Sequence, residues 1–325
     1  MTKPVPLPPS VIAPLIQRAL EEDFGNSGDL TANLLVPASA RGKLVMRARE
    51  AGVLAGMQPA QMSYAAVDPR VKFTAKKKDG AKIKKGDIIA VIEGPSRALL
   101  SAERVALNFL GRMSGIATLT AQYVKAAGKA KGHSGPVRIA ATRKTTPGLR
   151  AVEKQAVLAG GGFTHRESLA AAIMIKDNHI ALAGGVDKAL KAIAKNADHM
   201  ARISVEVDTL VQLKKVLKYS PDVILLDNMG EAQLRKAVAI VDNYEGRRPV
   251  LEASGGVNLD TVGGIAQTGI DVISVGALTH SAPTLDFFYI TREWWMHNVL
   301  SIISLKLRPY LYRNLVHYVS MRQWK

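Results

Sequence analysis

The chain contains no cysteine and few aromatic residues, with three Trp, eight Tyr and six Phe among 325 residues. Without cysteine it has no disulfide, no thiol nucleophile and no thiolate metal site. No stretch reaches the roughly 20 consecutive apolar residues that span a bilayer. Residues 1–9 are broken by prolines and lack the apolar core of a signal peptide. We therefore expect a cytoplasmic protein with no membrane partner.

Positive charge is in excess, because 44 Lys and Arg residues face 27 Asp and Glu residues, for a net charge of +17. Such a balance is typical of proteins that bind nucleic acid, membrane surfaces or small anions. The basic residues are spread along the chain, and aromatic residues are sparse before Phe287, so no base-stacking platform accompanies the charge. A basic nucleic-acid-binding protein remains an alternative from another functional class, but we expect no nucleic acid partner.

The first third of the chain mixes helix and strand patterns. Apolar spacing predicts helices over 10–24 and 97–130, and alternating patterns predict three strands, at 43–49, 71–75 and 88–92. Gly111 and Gly115 are expected to interrupt or bend the second helix. We interpret residues 1–115 as one domain, residues 116–286 as a second domain and residues 287–325 as an atypical basic, aromatic tail.

Six short apolar runs, separated by helical patterns, make up the second domain. The runs are Val137–Thr142, Ala172–Ile175, Ile203–Val205, Val223–Leu226, Val250–Ala253 and Val272–Val275. Strands that alternate with helices predict a parallel sheet with right-handed crossovers. Because six strands are recognisable rather than eight, we predict an open, incomplete parallel α/β barrel.

Reactive or glycine residues follow the runs, at the end of a parallel barrel where active sites lie. They are Arg143 and Lys144, Lys176, Glu206, Asp227, the Ser254-Gly255-Gly256 turn, and Gly276. Carboxylates suit Mg²⁺ or sugar hydroxyls, and glycines let backbone N–H groups approach a phosphate. His165-Arg166, after three consecutive glycines, adds two further candidates. Surface charge and ordinary turns explain each group alone, but together they favour a phosphorylated sugar and a small acid as ligands.

Several segments resemble the quinolinate phosphoribosyltransferase family, also called nicotinate-nucleotide pyrophosphorylase (carboxylating). The segments are Glu22-Asp23 with Gly28–Thr31, Ala51–Gly56, Ser101–Asn108, Thr142–Arg150, His165-Arg166, Lys176–His179, Glu206-Val207, Leu226–Met229, Glu252–Gly256 and Ser274–Ser281. They follow the order of the family over about residues 10–286. The resemblance implies an N-terminal α/β sandwich domain on an open α/β barrel, in a homodimer whose active site is shared between subunits.

The resemblance also implies a pentosyltransferase of NAD biosynthesis, which joins quinolinate to phosphoribosyl pyrophosphate and releases pyrophosphate and carbon dioxide to give nicotinate mononucleotide. It implies that Mg²⁺ is the cofactor. The residues implied to surround quinolinate are Arg104 from the partner subunit, Arg143, His165, Arg166 and Lys176. Those implied to serve the phosphoribosyl donor are Lys144, Lys176, Glu206 and Asp227, with Glu206 and Asp227 at the metal and Ser254, Gly255, Gly256 and Gly276 at the 5′-phosphate. A related barrel phosphoribosyltransferase, the paralogue associated with molybdenum transport, remains an alternative.

The tail from residue 287 departs from the family. It holds all three Trp and nine of the 17 aromatic residues. One interpretation is an amphipathic helix near Trp295–Leu307 that binds a membrane surface or a partner. We favour an extension with no evolved role, because the composition changes abruptly. On that interpretation, truncation after Asp286 is predicted to leave catalysis largely intact.

Overall fold

The computed structural model describes residues 5–291. Within them the strands are β1 Arg41–Ala48, β2 Gly52–Val53, β3 Lys72–Ala75, β4 Lys82–Ile83, β5 Ile88–Pro95, β6 Lys131–Gly132, β7 Gly135–Pro136, β8 Arg138–Ala140, β9 Ile173–Ile175, β10 Ile203–Val207, β11 Val223–Asp227, β12 Val250–Ser254, β13 Val272–Ser274 and β14 Phe287–Thr291. The helices are α1 Pro9–Phe24, α2 Leu30–Leu35, α3 Met57–Val67, α4 Ser96–Ser101, α5 Glu103–Ala127, α6 Arg150–Ala159, α7 Asp177–Leu182, α8 Val186–Asn196, α9 Leu210–Leu217, α10 Glu231–Asp242, α11 Val262–Ala266 and α12 Ala277–His280.

The six predicted barrel strands form one parallel sheet in the order β8-β13-β12-β11-β10-β9. The two outer strands, β8 and β9, do not pair with each other within the described residues, so the sheet does not close. Side chains of β10–β13 and the surrounding helices form the larger of two apolar cores. The prediction of an open α/β barrel is therefore confirmed.

A four-stranded antiparallel sheet, in the order β14-β1-β5-β3, forms the other half of the molecule. Its buried side chains, such as Met46, Ile89 and Ile92, pack against α3 and the start of α5 in a second core. The edge strand β14 comes from Phe287–Thr291, and Phe287 is buried. The structure thus assigns to the sheet five residues that the sequence interpretation placed in the tail. The interfacial helix suggested near Trp295–Leu307 lies outside the described residues.

Helix α5 connects the two halves and crosses the predicted domain boundary at residue 115. It runs unbroken through Gly111 and Gly115, so the expected interruption there is wrong. A Cβ at Gly115 would overlap the Pro283 carbonyl oxygen, and one at Gly111 would press on the Leu285 backbone. The glycines therefore permit close packing of the 283–285 backbone against the helix. Even this 25-residue helix is not apolar enough to cross a bilayer, and no other helix of residues 5–291 is.

Candidate active site

A cavity of about 760 Å³ lies at the carboxyl ends of the parallel strands. Every site residue predicted in the barrel domain lines it, namely Arg143, Lys144, His165, Arg166, Lys176, Glu206, Asp227, Ser254, Gly255, Gly256 and Gly276. The parallel topology brings them together, because all six strands deliver their last residues to the same edge. Residues about 130 positions apart in sequence therefore face one volume.

Alternate residues of neighbouring strands supply one wall of the cavity. The register places Glu206, Leu225 and Glu252 in one row across β10, β11 and β12. Asp227 and Ser254 form the next row, two residues further on. Since side chains two apart share one face of a strand, both rows face the cavity. We call Lys176, Glu206, Asp227 and Ser254 the strand-end cluster.

Ion pairing and hydrogen bonds orient the acids of the strand-end cluster. The Lys176 ammonium contacts Glu206 Oε2 at 2.5 Å, and the Glu206 side chain is only 9% exposed. The Asn228 amide donates to Asp227 Oδ2 at 2.7 Å. Asn228 adopts a left-handed backbone conformation with φ of +52°, which asparagine tolerates better than most residues. Each of the two carboxylates thus has one oxygen held by a neighbouring side chain.

The glycines next to the cluster occupy positions where a side chain would be crowded by its neighbours. Gly255 has φ of +88°, and a Cβ there would overlap Asn228 Oδ1. At Gly276 a Cβ would lie 3.0 Å from His280 Nε2 and 3.1 Å from Lys144 Cδ. Both glycines also line the cavity, and a backbone without Cβ atoms suits a phosphate-binding turn.

Another wall of the cavity consists of cations on two loops. We call Arg143, Lys144, His165 and Arg166 the loop cluster. Arg143 Nε and Arg166 Nε are both buried without a hydrogen-bond partner in the structure. Burial, reinforced by the neighbouring Arg143 guanidinium, lowers the pKa of Arg166. Buried, unpartnered donors that repel each other favour an anionic ligand, and guanidinium groups match carboxylates in geometry.

A buried carboxylate supports the first of these loops. Glu153, on α6, is fully buried and accepts hydrogen bonds from Arg112 Nη2 at 2.8 Å and from Thr146 Oγ1 at 2.8 Å. Arg112 also donates to the Thr279 carbonyl oxygen, and Thr279 Oγ1 donates to the Lys144 carbonyl oxygen at 2.7 Å. This network fixes the backbone that carries Arg143 and Lys144.

Sequence reasoning missed Glu252, Asn228 and His280, which also line the cavity. Glu252 is 4% exposed, and its Oε1 lies 3.4 Å from His165 Nε2 without a hydrogen bond. A signal was present, because Glu252 interrupts an apolar run two residues before Ser254, on the same face of the strand. Asn228 and His280 follow strands β11 and β13 without any such alternation.

Arg104 is the one predicted site residue that does not line the cavity. It is exposed near the start of α5, on the half of the molecule that contains the antiparallel sheet. Among residues 5–291, moreover, no three His, Asp or Glu side chains gather as a metal site. The cavity by itself therefore provides cations, two strand-end acids and a glycine turn.

Comparison with known proteins gives concordant results over most of the chain. The model of the quinolinate phosphoribosyl transferase N-terminal domain matches residues 29–114, and that of the C-terminal domain matches residues 116–289. Quinolinate phosphoribosyltransferase [decarboxylating] 1b of Nicotiana tabacum is 41% identical over 301 residues, covering 88% of this chain and 84% of the relative.

Two bacterial proteins are similarly related. The probable nicotinate-nucleotide pyrophosphorylase [carboxylating] of Bacillus subtilis is 40% identical over 274 residues, covering 84% of this chain and 90% of the relative. The crystal structure of NadC from Streptococcus pyogenes aligns with a TM-score of 0.82 at 39% identity, covering 88% of this chain and 98% of that chain.

Proposed function

This chain belongs to the quinolinate phosphoribosyltransferase family, and we propose that it transfers the phosphoribosyl group of phosphoribosyl pyrophosphate to quinolinate with loss of carbon dioxide. The products are nicotinate mononucleotide and pyrophosphate, so the enzyme is a pentosyltransferase of NAD biosynthesis. The observation that carries this proposal is one cavity lined by Arg143 and Arg166, whose Nε atoms are buried without a hydrogen-bond partner in the structure, and by strand-end acids and a glycine turn.

Quinolinate binding is assigned to the loop cluster. Quinolinate carries two carboxylates on adjacent ring carbons, and Arg143, His165 and Arg166 supply donors from two loops. Arginine forms paired hydrogen bonds with a carboxylate, which fix the plane of the acid as well as its position. Orientation of the ring nitrogen toward the sugar follows from holding both carboxylates at once.

The phosphoribosyl donor is assigned to the strand-end cluster and the glycine turn. The backbone at Ser254–Gly256 and Gly276 would hold the 5′-phosphate, and Glu206 and Asp227 would face the ribose. The bond between ribose C1 and the pyrophosphate oxygen breaks with its electron pair on pyrophosphate, and the quinolinate nitrogen forms the new bond to C1. Lys144 and Lys176 would stabilise negative charge on the leaving group.

Decarboxylation follows from the charge on the ring. Once ribosylated, the ring nitrogen is cationic and stabilises the electron pair left when the adjacent carboxylate departs as carbon dioxide. A proton from solvent then takes the place of the carboxylate. The protein chiefly positions the ring for this step, so no electron-accepting cofactor is required.

Magnesium is proposed as the cofactor, with Glu206 and Asp227 as its protein ligands. Mg²⁺ commonly keeps several waters and takes one or two carboxylates together with substrate phosphates. Two acids on adjacent strands fit that small donor set, and an all-protein cage is not needed. When bound, the ion would neutralise the pyrophosphate and make it a better leaving group.

The deciding experiment measures carbon dioxide release from quinolinate labelled in the 2-carboxylate, with and without phosphoribosyl pyrophosphate and Mg²⁺. We expect carbon dioxide release only when both are present. With nicotinate in place of quinolinate, turnover is followed as pyrophosphate release and should be small, because one carboxylate leaves the loop cluster partly unneutralised. Equal turnover of nicotinate would overturn the assignment. Salt-sensitive binding of generic DNA without any turnover would favour the nucleic-acid-binding alternative.

The homodimer with a shared site is proposed from Arg104, which is exposed and outside the cavity of its own chain. If Arg104 reaches a partner's cavity, Arg104→Ala and Lys144→Ala are each inactive, and their mixed dimers regain activity at one of two sites. Mixing Arg104→Ala with itself is the control. Mixtures that stay at background would contradict a shared site. The cytoplasmic location also remains a prediction, which cell fractionation would check.

A further inference from the structure

Helix α6 presents two basic side chains, one turn apart, to the loop that carries His165 and Arg166. Lys154 is 2% exposed, and its ammonium donates to the carbonyl oxygens of His165 and Arg166, each at 2.7 Å. Its third contact is an ion pair with Glu167 Oε1 at 3.3 Å. Three acceptors from three consecutive residues thus surround one ammonium group, which has three N–H donors.

Such burial is unusual, because lysine is almost never fully buried unless its charge is compensated. Burial, partly offset by the Glu167 carboxylate, lowers the pKa of Lys154. Among the described residues one full negative charge contacts it, and that Glu167 side chain is 56% exposed. The ammonium is therefore held mainly by two carbonyl dipoles, an arrangement that core packing alone does not require.

The loop itself has few other attachments. It follows Gly160–Gly162, and Phe163 is its last residue to pair with β8, through a bridge to Ala140. Within residues 5–291, the backbone N–H groups of residues 164–167 donate no hydrogen bond to another backbone group. Besides Lys154, the loop is held by Arg150, which donates to the Glu167 carbonyl oxygen at 3.0 Å, and by Arg166, which donates to that of Ala172 at 3.1 Å.

We propose that Lys154 is a positioning residue for quinolinate, which acts by fixing the backbone of His165 and Arg166 so that both side chains reach the same carboxylates. The inference rests on the proposed function. Lys154 touches no substrate and is absent from the cavity lining. Lys154 acts through the two carbonyl groups that it holds. It therefore affects the positions of His165 and Arg166 in the loop cluster and does not affect the strand-end cluster.

The test compares Lys154→Met with Gln155→Met, a change to the same residue at the next position of α6, where the side chain is partly exposed and donates to the Val5 carbonyl oxygen. We expect Lys154→Met to raise KM for quinolinate about tenfold or more, as loss of charged hydrogen bonds does. KM for phosphoribosyl pyrophosphate should change less than about twofold. Gln155→Met should change neither.

Backbone ¹⁵N relaxation of the protein without substrate supplies a readout that does not depend on the reaction. The order parameters of residues 164–167 should fall in Lys154→Met, because two of their carbonyl groups lose their donor, and those of residues 142–148 should stay unchanged. If the unmodified protein proved inactive, the proposed function would fail while this measurement still tested whether Lys154 fixes the loop. Unchanged order parameters in residues 164–167 would overturn the proposal.

A merely structural role gives a different kinetic result, namely a lower active fraction with both KM values unchanged, or an equal rise of both. Either outcome would overturn the proposal. Should Lys154→Met fail to fold, Lys154→Arg takes its place, because it keeps a charged donor but displaces the carbonyl groups. We then expect a rise of about threefold in KM for quinolinate alone, and an equal rise for both substrates would again contradict positioning.

Discussion

The two walls of the cavity are built in different ways. In the strand-end cluster, Glu206, Asp227 and Ser254 sit at the carboxyl ends of paired strands, where the register of the sheet sets each position, and Lys176 directly follows β9. The loop cluster sits on two irregular loops, and buried side chains of α6 hold those loops in place. One wall is thus positioned by backbone pairing and the other by buried charge.

The difference shows where each wall is vulnerable. The backbone at a strand end is held by hydrogen bonds to the neighbouring strands. A substitution there therefore affects ligand binding only through the substituted side chain. A loop held by Glu153 or Lys154 moves when a residue remote from the ligand changes. Substitutions at the strand ends are therefore expected to act directly, and substitutions on α6 are expected to act indirectly through the loops.

The largest effect is expected at the strand ends. Glu206→Gln and Asp227→Asn each remove charge without changing shape, and we expect each to lower kcat/KM by about 10²- to 10³-fold. Titration with Mg²⁺ should show a weaker metal dependence in both variants, with the affinity for quinolinate little changed. Glu245→Gln, at an exposed acid, is the control. Unchanged metal dependence in both variants would place the metal elsewhere.

The next effect concerns the support of the loop cluster. Glu153→Gln leaves the Arg112 guanidinium without its carboxylate partner, and breaking a buried pair in this way costs about 3 kcal/mol of unfolding free energy. Glu93→Gln breaks an ion pair at a similar distance, Lys43–Glu93 at 2.9 Å, but both partners are about two-fifths exposed. We expect less than about 1 kcal/mol for that control. Denaturant unfolding measures the loss of unfolding free energy in each of the two variants. Equal losses would contradict the expected difference between the buried and the exposed ion pair.

A smaller effect is expected at the glycine turn. Gly255→Ala places a methyl group on Asn228 Oδ1, which must shift and disturb its bond to Asp227. We expect KM for phosphoribosyl pyrophosphate to rise about tenfold, with KM for quinolinate nearly unchanged. Gly86→Ala is the matched control, since Gly86 has nearly the same φ of +87°, lies outside the cavity and has no described atom within 4 Å of its added Cβ. Neither KM should change in that control, and an unchanged KM for phosphoribosyl pyrophosphate in Gly255→Ala would contradict the role of the turn.

The smallest effect is expected outside both walls. Truncation after Thr291 keeps strand β14, and we expect kcat/KM to change less than about twofold. Truncation after Asp286 removes β14 and its buried Phe287, so it should lower the melting temperature of the protein. This outcome replaces the expectation that residues from 287 are dispensable. A large loss of activity after truncation at Thr291 would show that the tail supports one of the walls.

The barrel and most of its site were predictable because patterns in short stretches of the sequence determine them. Alternation of apolar runs and helices fixes a parallel sheet, and a parallel sheet sends all its strand ends to one edge. Glu206, Asp227 and Ser254 therefore met as expected. The alternation of side chains within a strand also predicts Glu252, which lies two residues before Ser254 on the same face. An acid within an apolar run was nevertheless not interpreted as a site residue.

The sequence by itself determined which residues terminate the strands and which turns are rich in glycine, since both are local properties of the chain. Only the tertiary structure decided that Lys154 holds the carbonyl groups of His165 and Arg166, that α5 continues through Gly111 and Gly115, and that β14 joins the N-terminal sheet. The physical reason is that these contacts join separate segments of the chain, which approach each other only when the whole chain packs. The spacing of residues within one segment does not determine which groups of another segment it will contact.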